Sequence, residues 1–366
     1  MRVVISPDKF AGTLTAVQAA TAIAEGWGAV RPQDELVITP LADGGEGTIA
    51  VVAHARADAV RRTVEVADAR GIATSADWLS LPDGTALVEA AQACGLSLLP
   101  PVDRDPLRTT TYGVGQLLRA VLDTGPARVV VGLGGSATVD GGAGMAAHLT
   151  GHGLRRADGN AVKVGGRWVA QILSVRAVIG VGHLPPVVIA SDVTNPLLGP
   201  DGAARVFGPQ KGADADAVAE LESALTSWAG VVERDLDGGP WRDLPGAGAA
   251  GGLGFALMAF LGGQVHSGAR VIADMVGLDV AGADVVITGE GSLDAQTLAG
   301  KGPAEVRRLG MEHGARTVAV AGRIDAAAGQ AFDIAEPLGP EGMTLPREMV
   351  VAAAARAAHR VSAELR

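Results

Sequence analysis

Five short stretches, three of them with glycine, set carboxylates, hydroxyls or a lysine just after an apolar run, where an α/β scaffold presents reactive groups. In Ser6-Pro7-Asp8-Lys9-Phe10, Lys9 offers a point charge for a phosphate or carboxylate, and Asp8 an acceptor for a hydroxyl or a metal. An Asx-type turn with a solvated lysine also satisfies this stretch. Ala42-Asp43-Gly44-Gly45-Glu46-Gly47-Thr48 puts two acids beside glycines that allow close backbone approach at a helix start. An Asp43 N-cap, with Glu46 on the helix dipole, accounts for much of the same pattern. Gly132 to Gly144 is rich in glycine and carries Ser136, Thr138 and Asp140, a composition poor for packing but rich in backbone N–H donors that can cradle phosphate. Its residue order matches neither G-x-x-x-x-G-K-[ST] nor G-x-G-x-x-G.

The fourth stretch, Ala190 to Leu197, places Asp192 and Asn195 three apart before Pro196, a spacing that a plain strand-end turn also explains. Lys211, in Phe207-Gly208-Pro209-Gln210-Lys211-Gly212, is expected to face the same site. The fifth, Thr288 to Asp294, carries Glu290 and Asp294, with Lys301 following. Carboxylates at strand ends suit Mg²⁺, which keeps most of its waters and needs one or two protein oxygens plus substrate phosphates. No Gly-x-Ser-x-Gly elbow is present, so Ser136 reads as a binding residue and not a nucleophile. His148 and His152 read as helix-end or solvent residues, and no transition-metal site is expected. The single cysteine, Cys94, sits in an apolar run and reads as a small buried hydrophobe.

Positioning such loops requires strands that end beneath them. Val3 to Ser6 reads as a strand, followed by a helix over Leu14 to Trp27 with Thr13 or Thr15 as N-cap. Glu35 to Leu41 reads as a second strand and Thr48 to Ala57 as a second helix, a rhythm that points to a parallel sheet. From residue 62 the pattern becomes antiparallel, over Thr63 to Val66, Thr74 to Leu79 and Thr85 to Glu89. Further strands are expected at Arg128 to Gly132, Val187 to Ser191, Ala283 to Thr288, Thr317 to Ala321 and Ala331 to Ala335, with a helix over Ala304 to Glu312. The fold class expected is α/β: a Rossmann-like, flavodoxin-like parallel-sheet domain from residues 1–60 plus 275–366, split by an inserted α/β domain at 61–274. A sheet order of 2-1-3-4-5 would bring Pro7-Asp8-Lys9 beside Thr288-Gly289-Glu290 at the topological switch point.

The whole chain bounds these readings. Its 366 residues are 48% hydrophobic and only 3% aromatic, with 52 glycines, which suits α/β layers joined by tight turns. A net charge of −10 argues against a nucleic-acid or anionic-lipid partner. No leader pattern and no long uncharged apolar window is evident, so a cytoplasmic protein without a membrane partner is expected, and a homo-oligomer is compatible.

Seven motifs, in order along residues 1 to 325, resemble the glycerate kinase family that acts on D-glycerate, in its type-1, glycerate 2-kinase-like branch. They are Ser-Pro-Asp-Lys-Phe at 6–10, Ala-Asp-Gly-Gly-Glu-Gly-Thr at 42–48, Gly-Gly-Ser-Ala-Thr at 134–138, Ser-Asp-Val-Thr-Asn-Pro-Leu at 191–197, Phe-Gly-Pro-Gln-Lys-Gly at 207–212, Gly-Ala-Gly-Ala-Ala-Gly-Gly-Leu-Gly at 246–254 and Thr-Gly-Glu-Gly-Ser-Leu-Asp at 288–294. The resemblance implies two α/β domains, ATP with Mg²⁺, and a phosphoglycerate product, more often the 2-phosphate. Asp192 and Glu290 are then the expected metal ligands, one of them alternatively orienting the attacking hydroxyl, and with Lys211 they form the expected catalytic set. Asp8, Lys9, Asp43 and Glu46 are expected to bind glycerate. Gly134, Gly135, Ser136, Thr138, Asp140 and Asn195 are expected to bind the nucleotide. The chain departs from the family pattern at Ala11, Val139 and Ser292, all expected to face the site. A kinase for another hydroxy acid, or a non-catalytic nucleotide- or anion-binding protein, would share the fold.

Overall fold

A computed structural model describes residues 1–151, 153–156, 165–176, 184–298, 300–339 and 346–364; His152 lies outside them. The chain divides into two compact units, Met1–Asp43 with Ala50–Ala57 and Ser267–Arg366, and Gly44–Ile49 with Asp58–His266. No described helix is long and apolar enough to cross a membrane.

The first unit is built on a five-stranded parallel sheet. Its order is Ile334–Pro337, Arg316–Ile324, Val285–Leu293, Arg2–Ile5 and Glu35–Ile38, the expected 2-1-3-4-5 arrangement. Val3, Val4 and Ile5 are fully buried, as a strand covered on both faces requires. The helix Ala16–Val30 opens with a capping box: the Thr15 hydroxyl accepts from Gln18 N–H, and the Gln18 side chain accepts from Thr15 N–H. Thr13 is not the cap, because its hydroxyl donates to Phe10 O. The C-terminal helix Pro346–Glu364 packs against Ala16–Val30, and at Gly26 a Cβ would stand 2.1 Å from Val351 O. The corner after Ala16–Val30 is tied by Asp34, which accepts from Arg31, Trp27 Nε1 and the amino terminus. Burial opposes ionisation there, but these donors prevail and hold the Asp34 carboxyl down at about 2.

The second unit carries a six-stranded mixed sheet in the order Gln264–His266, Val187–Ala190, Arg128–Gly132, Thr85–Glu89, Ala73–Ser80, Val60–Ala67. The last three form the expected antiparallel ribbon, and Thr85–Glu89 joins it to three parallel strands. Helices Tyr112–Leu122, Ala143–Leu149, Ala215–Asp235 and Ala249–Leu261 cover this sheet with a continuous apolar core. Several strand bounds differ from expectation, among them Val60–Ala67 for Thr63 to Val66, Arg316–Ile324 for Thr317 to Ala321 and Ile334–Pro337 for Ala331 to Ala335. Glu35–Ile38 stops before Pro40, which has no N–H for a ladder. Val285–Leu293 runs past Thr288 through two glycines, because Arg316–Ile324 pairs with it as far as Leu293↔Ile324.

Candidate active site

In the first unit, acids collect where the first and third strands of the sheet end. Asp8 N–H donates to Gly289 O at 2.8 Å and Leu41 N–H to Pro7 O at 2.9 Å, so three strand ends are laced together. Phe10, buried in the core, pins the loop that carries Asp8 and Lys9. Asp8 is 8% exposed and accepts from Lys9 N–H at 2.6 Å, a contact with the next residue and not the two-residue reach of an Asx-type turn. Burial, with the charge of Asp43 next and Glu290 adding to it, pushes the Asp8 carboxyl up to about 8 against the opposing Lys9 contributions. Burial likewise pushes Glu290 up to about 7, opposed by the Thr297 hydroxyl and Lys301, and assisted by Asp294 and Asp43. Thr297 Oγ1 donates to Glu290 Oε1 at 2.5 Å, while Thr297 N–H donates to Asp294 Oδ1. The unit therefore brings Asp8, Asp43 and Glu290 into one field, with Lys9 and Lys301 as counter-charges, as the switch-point reading requires. Such an arrangement is one that a cation or an anionic substrate with its metal would relieve.

In the second unit, the glycine-rich loop leaves the Arg128–Gly132 strand and is held from behind. Lys211 is 3% exposed, and its ammonium donates to Ser136 Oγ at 2.9 Å and to Thr138 O at 2.8 Å. Burial lowers it to about 8, although Cys94 and Asp140 pull the other way. The lysine thus fastens the loop from within instead of standing in the open. Asp140 is fully buried and accepts from Thr111 N–H at 2.8 Å, Gly142 N–H at 3.0 Å and Gly144 N–H at 3.2 Å, with hydroxyl donors from Thr110 and Thr111. Its oxygens are engaged in shaping the loop, so Asp140 is a positioning residue here. Thr138 is also fully buried and contributes its carbonyl to Lys211.

Backbone packing explains several of the glycines. A Cβ on Gly132 would lie 2.1 Å from Gly44 O, and one on Gly134 would lie 2.4 Å from Gly45 Cα. The Gly44–Gly45 turn and the glycine-rich loop therefore meet main chain to main chain, with Glu46 exposed beside Gly135. Asn195 donates its side-chain N–H to Asp201 O at 2.8 Å, and its main-chain carbonyl accepts from Gly248 N–H. Asp192 is half-buried on the turn after Val187–Ala190 and belongs to the second unit, whereas Glu290 belongs to the first. Val139 corrects an expectation: it is fully buried in the second unit's core and does not face the site. Ser292 lies within a strand, with its hydroxyl buried and unpartnered among the described residues, and Ala11 is exposed.

Two contributors escaped the sequence reading. Glu89 is 1% exposed and accepts from Gly47 N–H at 3.2 Å and Ile49 N–H at 3.1 Å, anchoring the loop that carries Glu46. An acid closing the apolar strand Thr85–Glu89 was the available signal. Thr297, the partner of Glu290, offered none, since a threonine in a short helix is unremarkable by type.

A model described as the glycerate kinase family matches residues 3–363. Glycerate 2-kinase of Escherichia coli strain K12 is 40% identical over 333 residues, covering 88% of this chain and 86% of its own. A glycerate kinase of Halalkalibacterium halodurans is 39% identical over 360 residues, covering 95% and 93%. A crystal structure from Salmonella typhimurium LT2, described as a glycerate kinase 2, superimposes with a TM-score of 0.84 at 38% identity, covering 100% of this chain and 99% of that one.

Proposed function

The chain belongs to the glycerate kinase family, and on that premise we propose that it transfers the γ-phosphoryl group of ATP to D-glycerate, giving the 2-phosphate. The observation that carries this reading is the crowding of Asp8, Asp43 and Glu290 at the switch point, with two of the three held far above the usual carboxylate range. Phosphoryl transfer asks the protein for positioning and charge neutralisation more than for covalent chemistry.

Glu290, with Asp43 beside it, supplies oxygens of the kind Mg²⁺ takes, and Asp192 is the second acid assigned to the metal on its sequence motif. When bound, the ion neutralises charge on the phosphate oxygens. Lys9 meets the glycerate carboxylate as a point charge. Asp8 accepts a hydrogen bond from the attacking hydroxyl and orients it, with Asp43 and Glu46 completing the acceptor side. Gly135 and Ser136 turn their N–H groups to the phosphates, whereas Gly134 N–H donates to Gly44 O and shapes the loop, and Lys211 holds the loop in shape and adds a positive charge beneath it.

³¹P NMR of the product from ATP, Mg²⁺ and D-glycerate tests this directly. The expected resonance is that of 2-phosphoglycerate. 3-Phosphoglycerate would reassign the attacked hydroxyl, turnover only with another hydroxy acid would reassign the substrate, and glycerate-independent ATP consumption would remove the kinase reading.

A further inference from the structure

The second unit holds a cavity of about 950 Å³, near the upper end of the range small-molecule sites occupy. It lies on the side of the sheet from which the glycine-rich loop leaves. Ala67 lines it and pairs with Ala73, the start of a strand whose antiparallel register with Thr85–Glu89 puts both residues at the carboxyl end of that strand. Its floor, Thr109 and Thr110, is tied to the loop: Thr109 Oγ1 donates to Ala137 O at 3.0 Å and Thr110 Oγ1 to Asp140 Oδ2 at 3.2 Å. Floor and loop are thus one hydrogen-bonded piece.

The walls have the chemistry of a heteroaromatic anion site. Tyr112 and Trp168 both line the cavity, and the Tyr112 ring is braced edge-on by His148 at 5.0 Å between centroids. The Arg108 side chain is exposed and makes no hydrogen bond or ion pair among the described residues, whereas Arg70 is already engaged by Asp68 and Asp103. At the rim, Val102 is 89% exposed and Ile72 54%, apolar surface that a flat ring would cover.

We propose that this cavity seats the nucleoside of ATP, its base against Trp168 and Tyr112 and its phosphates running past Arg108 toward the glycine-rich loop. Asp105, which also lines the cavity, takes the ribose hydroxyls. The proposal rests on the kinase reading for its choice of nucleotide, but not for the existence of the site.

The test pairs steady-state kinetics with tryptophan fluorescence on the intact chain. Arg108→Ala and Trp168→Ala are each expected to raise the KM for ATP about tenfold, while the KM for glycerate stays within about twofold. Trp168→Phe, which keeps a stacking face, restores the KM for ATP. ADP quenches the wild-type fluorescence, and the quench disappears in Trp168→Phe. An unchanged KM for ATP in both alanine variants, or a quench that persists in Trp168→Phe, overturns the proposal. ADP quenching that depends on Trp168, in a protein that turns over neither glycerate nor another hydroxy acid, supports the nucleoside seat while removing the kinase reading.

Discussion

The two units treat buried charge in opposite ways. In the first, Asp8 and Glu290 are buried in the field of Asp43 with few donors turned to them, so the ionised forms of these two are held at a disadvantage. In the second, Asp140 is more deeply buried than Asp8, yet three backbone N–H groups and two hydroxyls are built around it. Burial still raises its pKa, but its hydrogen-bonding capacity is used internally. The difference separates charge kept available for a ligand from charge consumed in building the scaffold.

Removing each acid breaks the comparison most sharply. Asp140→Ala leaves buried donors without an acceptor and is expected to lower the unfolding free energy by about 3 kcal/mol or more, measured by chemical denaturation. Asp8→Asn should do the reverse: it removes a carboxyl that the folded state disfavours, so stability holds or rises, while kcat/KM falls by about 10²-fold. Equal stability losses at the two positions would erase the distinction.

The lysines give the next contrast. Lys211, lowered to about 8 in the fold from 10.5, loses its proton in the native state while the unfolded chain keeps its own. Between those values its contribution to stability therefore rises with pH. Activity that needs the cation falls through about pH 8, so kcat/KM should drop there while Lys211 itself works to raise the melting temperature. In Lys211→Met, a drop at pH 8 that remains unchanged would assign it to another group. Lys9, proposed to meet the glycerate carboxylate, is expected to act on substrate alone: Lys9→Met should raise the KM for glycerate about tenfold and that for ATP much less. A glycerate KM equal to wild type takes Lys9 out of that role.

The smallest effect concerns backbone strain in the second unit. Ala250 sits at φ 52° within a kinked stretch, followed by Gly251 and Gly252, also left-handed. Ala250→Gly should stabilise the protein by up to about 1 kcal/mol, read as a shift in the denaturation midpoint.

What the sequence revealed follows the range of the forces involved. Val3 to Ile5, Arg128 to Gly132 and the 2-1-3-4-5 sheet order come from local β-branched runs and a general rule of connection, and the switch point followed from them. Lys211 and Asp140 were found as residues but given outward roles, because nothing local shows that Ser136, Thr138 and Thr111 turn toward them. Val139 looked like a loop residue by its neighbours, yet it packs inward. The length of Val285–Leu293 depended on a partner strand more than 20 residues away. The N-terminal acids were legible; their mutual electrostatic pressure was not.

The contact of Gly44–Gly45 with Gly132 and Gly134 has one last consequence, for how this chain can vary. Elsewhere in the core, a larger side chain on one surface can be matched by a smaller one opposite. Here both surfaces are bare main chain, so there is nothing left to trim. A single added methyl at Gly132 or Gly134 has no second-site remedy at the facing positions. Sequence drift can circulate freely around this seam, but it cannot enter it one residue at a time.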